Sequence, residues 1–257
     1  MDMDDDTPVF TPRDFLKYVA SLRNVDLETF QIPPRVIMVY RRRHFNFVNQ
    51  LLRAHLVNWW WYGDRLSLSI GAINGSEIAA ALNFVGSPAA AMVFEELIAC
   101  GAEKVFEVGT SGGIQPSLQP GDIFVVSEAL CDEGTTRQYC EGQRVLPTSP
   151  FLKQHLVDIL TQNHIEHEEG TVLTTDGVYR ETKSKLAKIR RRGVLAINME
   201  TSALYAVAKH RGVEIASAQI ISDQLTESGW YPAFSDQQVL DNMETLLRLV
   251  VTALSKA

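Results

Sequence analysis

The segment VFEVGTSGGIQP, residues 105–116, decides the fold and raises the first question about function. Its first residues are apolar and β-branched, which predicts a buried strand that ends near Gly109. The small residues of 109–113 then predict a loop whose free backbone N–H groups and two hydroxyls suit an anion or a sugar. An acid, Glu107, lies just before this loop, where its negative charge would repel a bound anion.

On both sides of this segment, strand patterns alternate with helix patterns. Strands are predicted at RVIMVY (35–40), GDIFVVSEAL, EEGTVLTTD and EIASAQIISD, and helices at SPAAAMVFEELIAC, SPFLKQHLVDILTQN, METSALYAVAKHRG and the C-terminal DQQVLDNMETLLRLVVTALSKA. This alternation predicts a single-domain α/β fold with a twisted, mixed and largely parallel central sheet flanked by helices. Because ligands bind beyond the carboxyl ends of such strands, we expect 109–113, 174–176 and 222–223 to form one cleft.

The chain is expected to divide into an N-terminal extension, residues 1–34, and a main domain, residues 35–257. The extension mixes acids with IPP and predicts one short, peripheral helix over 12–22. Within the main domain, Asn74-Gly75 joins two apolar runs and predicts a tight hairpin turn. The aromatic run WWWYG (59–63) is expected to pack in an interface or under the extension, or to stack on a ligand.

Composition narrows the class of ligand. The chain has 257 residues, 46% of them apolar, and a net charge of -7, which argues against a nucleic-acid backbone as partner and favours a small molecule. The three cysteines are far apart and show no metal-ligand spacing, so no metal site is predicted. The acidic MDMDDD start and the lack of a long apolar run predict a cytoplasmic protein that does not enter a membrane.

Two acids are candidates for chemistry because each lies at a strand or helix end. Glu200 begins a predicted helix, where it either complements the helix dipole or accepts hydrogen bonds from two vicinal hydroxyls. Asp223 ends the strand of IISD, where it either caps the following segment or donates a proton.

Three segments, VFEVGTSGGIQPSLQPGDIFVVSEAL, INMETSALYAVAKHRGV and IISD, resemble in order and separation the signatures of the nucleoside phosphorylase family. This family includes bacterial-type purine nucleoside phosphorylases, uridine phosphorylases and methylthioadenosine nucleosidases. The resemblance covers roughly residues 35–255. It implies an enzyme that breaks the N-glycosidic bond of a nucleoside, and a homo-oligomer, a dimer or a hexamer, that completes its sites across subunits.

The resemblance also implies roles for individual residues. Glu200 with Met199 would hold the ribose hydroxyls, Thr110 would lie by the ribose and the nucleophile, and Asp223 would protonate or hydrogen-bond a purine at N7. Further substrate-binding candidates are Ser111, Gly112, Val178, Tyr179 and Asn198, of which Gly112 would lie against the base. Val178 and Tyr179 either pack on the base or belong to the core, and Asn198 replaces a Glu that is common in relatives.

Two phosphate anchors of the family pattern are changed. Relatives carry an Arg where this chain has Glu107, and a Gly-Asp-Pro loop where it has VYRRRHF. Glu107 is either a second catalytic residue, which orients or deprotonates an attacking water or hydrogen-bonds the sugar, or an outward acid paired with Lys104 or Arg65. Arg65 lies near where relatives send an Arg across the dimer interface. The run 41–43 is a solvated face, a displaced phosphate site, or a site for a 5′-phosphate.

The resemblance therefore predicts cleavage of a nucleoside, with a purine-like base favoured over uracil because the Gln and Arg that the uridine enzymes carry after the strand of TTDGVYRETKSK are missing. No cofactor is expected, and inorganic phosphate is a possible co-substrate; phosphorolysis and hydrolysis both remain open. The alternatives are a catalytically weakened sensor or partner subunit that binds a nucleoside or nucleotide, a uridine phosphorylase, and a nucleoside 5′-monophosphate nucleosidase.

Overall fold

The fold is known from a computed structural model that describes residues 7–63 and 65–257. The acidic segment 1–6, on which part of the localisation prediction rests, lies outside the described residues. The helices are α1 (Pro12–Arg23), α2 (Arg42–Leu52), α3 (Ser87–Ala99), α4 (Thr136–Tyr139), α5 (Pro150–Gln162), α6 (Lys183–Arg190), α7 (Thr201–Arg211) and α8 (Gln237–Lys256). Two 3-10 turns cover Leu27–Phe30 and Val178–Arg180. Within this part of the chain, no helix is long and apolar enough to cross a membrane.

The strands form one mixed sheet with helices around it, as predicted. They are β1 (Arg35–Val39), β2 (His55–Leu56), β3 (Leu68–Ile73), β4 (Ser76–Leu82), β5 (Lys104–Gly113), β6 (Ile123–Asp132), β7 (Val145–Pro147), β8 (Glu168–Thr175), β9 (Val194–Asn198), β10 (Glu214–Leu225) and β11 (Trp230–Pro232). The order is β11-β10-β6-β8-β9-β5-β1-β4-β3-β2, with β7 on β6. The predicted hairpin is confirmed, since Asn74 and Gly75 both have positive φ between β3 and β4.

The pairing of β10 with β5 closes part of this sheet on itself. β10 lies parallel to β5 and antiparallel to β6, so the strands β5, β10, β6, β8 and β9 form a closed circuit. The largely parallel sheet that the sequence predicts is thus only part of the arrangement. The circuit brings the carboxyl ends of β5, β9 and β10 together, and these ends position the candidate site.

The predicted loop at residues 109–113 is strand, which corrects the expectation from the sequence. Thr110 pairs with Ile220 and Gly113 with Gln224 on β10, and Gly113 also pairs with Ala196 on β9. Small residues permit this close packing, because a Cβ on Gly113 would come within 3.1 Å of Ile221. The backbone N–H and C=O groups of this segment therefore take part in strand pairing and are not available to a ligand as those of a loop would be.

The N-terminal segment packs on the main core instead of lying at the periphery. Leu16 of α1 and Phe30 are 2% and 1% exposed and belong to the same hydrophobic cluster as the central strands. Phe15 contacts Trp61 and Phe30 contacts Trp59, with ring centroids 5.4 and 5.3 Å apart. The prediction that WWWYG packs under the extension is thus confirmed, whereas the domain boundary at residue 34 stays a prediction.

A buried acid, Glu96 on α3, accepts hydrogen bonds from this aromatic run. Trp61 Nε1 donates to its carboxylate at 2.9 Å and Tyr62 Oη at 3.0 Å. Burial raises the pKa of Glu96 to about 7. The neutral carboxyl is therefore favoured in the folded chain, and the unfolded chain ionises first as the pH rises.

We expect Glu96→Gln to flatten the dependence of stability on pH. The contribution of Glu96 is fully present below pH 4.5, its ordinary pKa, and is lost as the pH rises through about 7. A shift of this size corresponds to about 3 kcal/mol of unfolding free energy. Urea unfolding at pH 5 and pH 8 measures the difference, with the exposed Glu103→Gln as control. If the free energy of unfolding falls by the same amount between pH 5 and pH 8 in wild type and in Glu96→Gln, this account is contradicted.

Candidate active site

The strand ends meet around one cavity of about 690 Å³. Thr110, Ser111 and Gly112 of β5 line it on one side. Residues at the end of β9 and the start of α7, the end of β10, and the start of α2 complete the wall. The volume lies within the usual range for small-molecule sites.

Glu200 lines this cavity from the start of α7. It holds the N-cap position of α7, but its side chain makes no capping bond. Instead the carboxylate accepts the N–H of Gly86 at 2.8 Å and that of Met199 at 3.2 Å, one on each oxygen. Burial, and then the nearby Glu107, raise the pKa of Glu200 to about 7. Each oxygen keeps a lone pair for a further donor from a ligand.

Glu107 lies next to Tyr40 of the cavity wall, and the reading of it as an outward acid paired with Lys104 or Arg65 is wrong. Glu107 is 1% exposed and does not line the cavity, and no cation among the described residues forms an ion pair with its carboxylate. Tyr40 Oη donates to one oxygen at 2.7 Å, while Thr201 Oγ1, also at 2.7 Å, and Ser217 Oγ donate to the other. Burial raises the pKa of Glu107, and the three hydroxyls oppose this effect.

The position of Glu107 follows from its strand. β5 runs between β1 and β10, where Glu107 faces Met38 on one side and Ser217 on the other. Its side chain therefore points into the interior, and Tyr40 links it to the cavity wall. Glu107 thus contacts the cavity wall through Tyr40 and does not line the cavity itself, and a catalytic role for it stays a prediction.

A second buried network connects Asn198 to the same cluster. Asn198 Nδ2 donates to Thr201 Oγ1, and Asn198 Oδ1 accepts from Thr174 Oγ1 at 2.9 Å. Gln219 Nε2 also donates to Thr201 Oγ1, at 3.1 Å. The hydroxyl of Thr201 therefore accepts two hydrogen bonds and donates one to Glu107. Each hydrogen bond of the network thus has a defined direction.

Asp223 lines the same cavity from near the end of β10. Ser222 Oγ donates to one of its oxygens and Trp230 Nε1 to the other, both at 2.8 Å. The side chain is 8% exposed and faces Gly112 across the β5–β10 pair. Two donors hold the carboxylate in one orientation, and a ligand can still approach its remaining lone pairs.

The start of α2 brings positive charge to the cavity. Arg41 and His44 both line it, and the Arg41 guanidinium lies 5.7 Å from the centre of the Phe234 ring. Burial, with help from Arg41 and Arg43, lowers the pKa of His44 to about 4. His44 is therefore neutral at pH 7, and Arg41 is a full cation at the cavity wall.

Arg65 does not take part in the cavity of this chain. It is exposed and lies in the segment between β2 and β3. Its expected reach across a subunit interface stays a prediction. Among the described residues, no group of three or more His, Cys, Asp or Glu side chains is arranged to hold a metal ion.

The family model described as "Phosphorylase superfamily" matches residues 50–255. The chain belongs to the phosphorylase superfamily. Among similar relatives, the DeoD-type purine nucleoside phosphorylase of Bacillus cereus (strain B4264) is 32% identical over 157 residues, which are 60% of this chain and 67% of that protein. The corresponding protein of Bacillus thuringiensis (strain Al Hakam) is 31% identical over the same length.

Solved structures of phosphorylases have the same fold. Uridine phosphorylase from Vibrio fischeri ES114 aligns with a TM-score of 0.78 and 23% identity, covering 89% of this chain and 95% of that one. Purine nucleoside phosphorylase from Toxoplasma gondii, in complex with immucillin-H, aligns with a TM-score of 0.79 and 21% identity, covering 89% and 92%.

Most site residues predicted from the phosphorylase resemblance line one cavity. These are Thr110, Ser111, Gly112, Val178, Tyr179, Asn198, Met199, Glu200 and Asp223, whereas Glu107 and Arg65 do not. Their functional roles remain predictions.

Sequence reasoning missed several other residues of the wall. Tyr40 directly follows β1, and Glu181 follows β8 by a few residues. The expectation that ligands bind beyond the carboxyl ends of strands could therefore have indicated both. His44 lies within the helical pattern of α2. Trp230 and Phe234 reach the cavity through the β10–β11 hairpin, which has no clear sequence pattern.

Gly112 permits the close approach of Asp223, and we expect Gly112→Ala to lower activity. A Cβ at this position would come within 2.8 Å of Leu225 Cδ1 and 3.2 Å of Asp223 Oδ2. Because both side chains line the cavity, their displacement should lower kcat/KM about tenfold. Steady-state assays measure this, and Gly134→Ala is the control, since its Cβ meets only Asp176 Oδ2 at 3.7 Å. Unchanged kinetics for Gly112→Ala would show that the contact is unimportant.

Proposed function

We propose that this protein is an enzyme that cleaves the N-glycosidic bond of a nucleoside, with a purine base favoured. The observation that carries the proposal is the presence of two buried carboxylates, Glu200 and Asp223, in one cavity large enough for a nucleoside. Cleavage places positive charge on the sugar and negative charge on the base. A site for it needs anchors for the sugar at one end and a hydrogen-bonding acid at the other.

In this proposal the ribose lies against Glu200. The Gly86 and Met199 N–H groups orient the carboxylate, and the two vicinal hydroxyls of the sugar donate to its remaining lone pairs. Ser111 Oγ supports this placement, because it is buried with no hydrogen-bond partner among the described residues. Thr110 lies beside it on β5, near the nucleophile. Asn198 and Met199 complete the wall on the sugar side.

The base lies against Asp223 and Gly112. Ser222 and Trp230 hold Asp223 so that it shares a proton with N7 of a purine as the C1′–N bond breaks. Val178, which is 44% exposed, and Tyr179 offer apolar surface at the same wall. The Gln and Arg that the uridine enzymes carry after the corresponding strand are missing here, which supports a purine as the favoured base.

The favoured nucleophile is inorganic phosphate, as a co-substrate held by Arg41. The guanidinium lines the cavity, and Glu107 does not face it, so the expected repulsion of phosphate by Glu107 is reduced. The same guanidinium is the alternative site for the 5′-phosphate of a nucleotide. Hydrolysis is the second candidate, because Glu107 and Tyr40 form a carboxylate–hydroxyl pair where the resemblance predicts an Arg.

A homo-oligomer is part of the proposal. Apolar side chains stand exposed at the cavity rim, among them Val85 at 62%, Tyr179 at 97% and Trp230 at 58%. A second copy covering this rim would exclude water from the reaction. The cytoplasm remains the predicted location.

The proposal is tested by incubating the purified protein with purine and pyrimidine nucleosides and their 5′-monophosphates, with and without inorganic phosphate. Pentose 1-phosphate formed only with phosphate would support phosphorolysis. Free pentose in both buffers would support hydrolysis, and cleavage of the monophosphates alone would indicate a nucleotide nucleosidase. Binding without any product would contradict an enzyme and support the alternative of a nucleoside or nucleotide sensor.

A further inference from the structure

The segment RETKSKLAKIRRR, residues 180–192, is strongly basic in a chain that is acidic as a whole. Seven of its thirteen residues are Lys or Arg and one is Glu, which gives a net charge of +6. Because the whole chain carries -7, all the other residues together carry -13. A concentration of positive charge in one short segment therefore stands out from the composition of the chain.

Two of these cations fix the segment to strands that carry the candidate site. Lys185 Nζ forms an ion pair with Asp132, at the end of β6, at 2.5 Å. Arg190 Nε donates to the carbonyl of Ile114, just after β5, at 2.5 Å, and Arg190 Nη2 donates to that of Leu225 at the end of β10. Helix α6 is therefore held in a defined position against the ends of these strands.

The other cations of the segment face solvent. All of them are exposed, and within residues 7–63 and 65–257 none forms an ion pair. They form the basic surface, which consists of Arg180, Lys183, Lys188, Arg191 and Arg192. The helix dipole explains only part of this set, because it favours Lys188 near the C-terminal end of α6 and disfavours Lys183, which begins the helix.

The basic surface is contiguous with the candidate active site. Arg180 lies between Tyr179 and Glu181, both of which line the cavity, and Tyr179 stands at the rim with 97% of its surface exposed. Leu225, whose carbonyl accepts the hydrogen bond from Arg190, lines the cavity as well. The entrance of the cavity is thus bordered by exposed positive charge.

An acidic protein repels the anions that the proposed reaction uses. Inorganic phosphate and phosphate monoesters carry nearly two negative charges near neutral pH. The negative charge of the rest of the chain lowers the concentration of such anions near the protein, whereas positive charge beside a cavity raises it there. Steering of this kind raises association rates by about 10- to 1000-fold and weakens as salt is added.

We propose that the basic surface attracts phosphate dianions to the cavity and raises the rate at which phosphate-bearing ligands bind. The dianion is inorganic phosphate or the 5′-phosphate of a nucleotide, which present the same charge. This inference rests on the proposed function, because it concerns the same cavity, and it adds a kinetic role for residues outside the wall. The bound phosphate itself is held by Arg41, so the basic surface acts on association and not on dissociation.

Two triple variants that remove the same amount of charge test the proposal. The substitutions in the basic surface are Lys183→Gln, Lys188→Gln and Arg191→Gln. The substitutions in the control are Arg13→Gln, Arg53→Gln and Arg144→Gln. All six residues are exposed, and none of them lines the cavity.

Stopped-flow tryptophan fluorescence measures the binding of inosine 5′-monophosphate and of uncharged inosine, because Trp230 lines the cavity. At an ionic strength of about 10 mM, where the Debye length is about 30 Å, we expect the basic-surface variant to bind the monophosphate about tenfold more slowly than wild type. At about 1 M, where the Debye length is about 3 Å, the two rates should agree. Dissociation rates, the binding of inosine and all rates of the control variant should stay unchanged.

Calorimetry with inorganic phosphate, at a constant ionic strength of about 0.1 M, distinguishes the two sources of the dianion. Weaker binding of inorganic phosphate to the basic-surface variant would support phosphate as the ligand, and an effect on the monophosphate alone would support a nucleotide. Equal slowing of inosine would overturn the inference, since the effect would then be structural. Equal slowing in both triple variants would also overturn it, since net charge alone would then explain the result.

These outcomes are distinguishable from failure of the proposed function, because binding is measured without turnover. Wild type that binds inosine but neither anion would overturn the inference and leave cleavage of a nucleoside by water intact. Wild type that binds these ligands and cleaves none of them would contradict the proposed function, and its association rates would still test the basic surface. Binding of single-stranded RNA that only the basic-surface variant loses, with unchanged ligand association, would overturn the inference and assign the surface to nucleic acid.

Discussion

Asp223→Asn is expected to lower kcat for an ordinary purine nucleoside by about 10²- to 10⁴-fold, the usual contribution of a positioned acid or base. The Asn side chain has the same shape and keeps one oxygen for Ser222 or Trp230, so the cavity should retain its form. It cannot share a titrating proton with N7 of the base. Nucleoside binding should therefore change only a few-fold, and kinetics together with equilibrium dialysis measure the two quantities separately.

A substrate that carries its own positive charge is the sharpest control for Asp223. In 7-methylguanosine the base leaves without a proton at N7, so Asp223→Asn should cleave it at a rate close to that of wild type. Asp158→Asn is the matched control for the substitution, because Asp158 is exposed on α5 and its carboxylate accepts a hydrogen bond from the neighbouring Gln154. If Asp223→Asn cleaves ordinary nucleosides as fast as wild type, Asp223 has no part in the departure of the base.

Glu200→Gln is expected to lower kcat/KM by about 100-fold, mainly through KM. Two sugar hydroxyls lose a charged acceptor, at about 1.5 kcal/mol for each hydrogen bond. The amide nitrogen also places a donor against the N–H of Gly86 or Met199, both of which now donate to the carboxylate. Steady-state kinetics with a ribonucleoside measure the loss.

The 2′-deoxynucleoside separates this role of Glu200 from a general loss of structure. It lacks one of the two hydroxyls, so wild type should use it less well, and Glu200→Gln should lose distinctly less on it than on the ribonucleoside. Equal losses on both substrates would show that Glu200 does not hold the 2′-hydroxyl. An unchanged Tm for Glu200→Gln would exclude unfolding as the cause of the loss.

The sequence predicts the base and sugar ends of the site because their residues lie at strand ends. Asp223 ends an apolar strand, and Glu200 precedes a helix with a good helix-forming interior, so both could be placed on the same edge of an α/β sheet. The order of these segments then gives the family. Local patterns of this kind depend on residues near in sequence, which is why they could be read directly.

The role of Glu107 could not be predicted, because it depends on neighbours far away in sequence. Three hydroxyls surround it, from Tyr40, Thr201 and Ser217, and they come from the end of β1, the start of α7 and β10. No pattern around residue 107 indicates that these groups meet. A carboxylate at a strand end was therefore expected to face a ligand or solvent.

The continuation of β5 through Gly113 was missed for a related reason. Glycine-rich segments are typical of loops, and only the alignment of β10 along β5 makes this segment a strand. The short strand β9 was also not predicted, although it completes the closed circuit and delivers Asn198 to the cavity. Pairing between distant strands overrides local composition at both places.

The central claim is that this cavity breaks an N-glycosidic bond, and a single-turnover assay tests it most directly. Purified protein in molar excess over guanosine or inosine, with inorganic phosphate present, is quenched at intervals, and free base is separated from intact nucleoside. We expect stoichiometric release of free base in wild type, and a rate in Asp223→Asn that is slower by about 10²-fold or more. Full recovery of intact nucleoside from protein that demonstrably binds it would contradict the account.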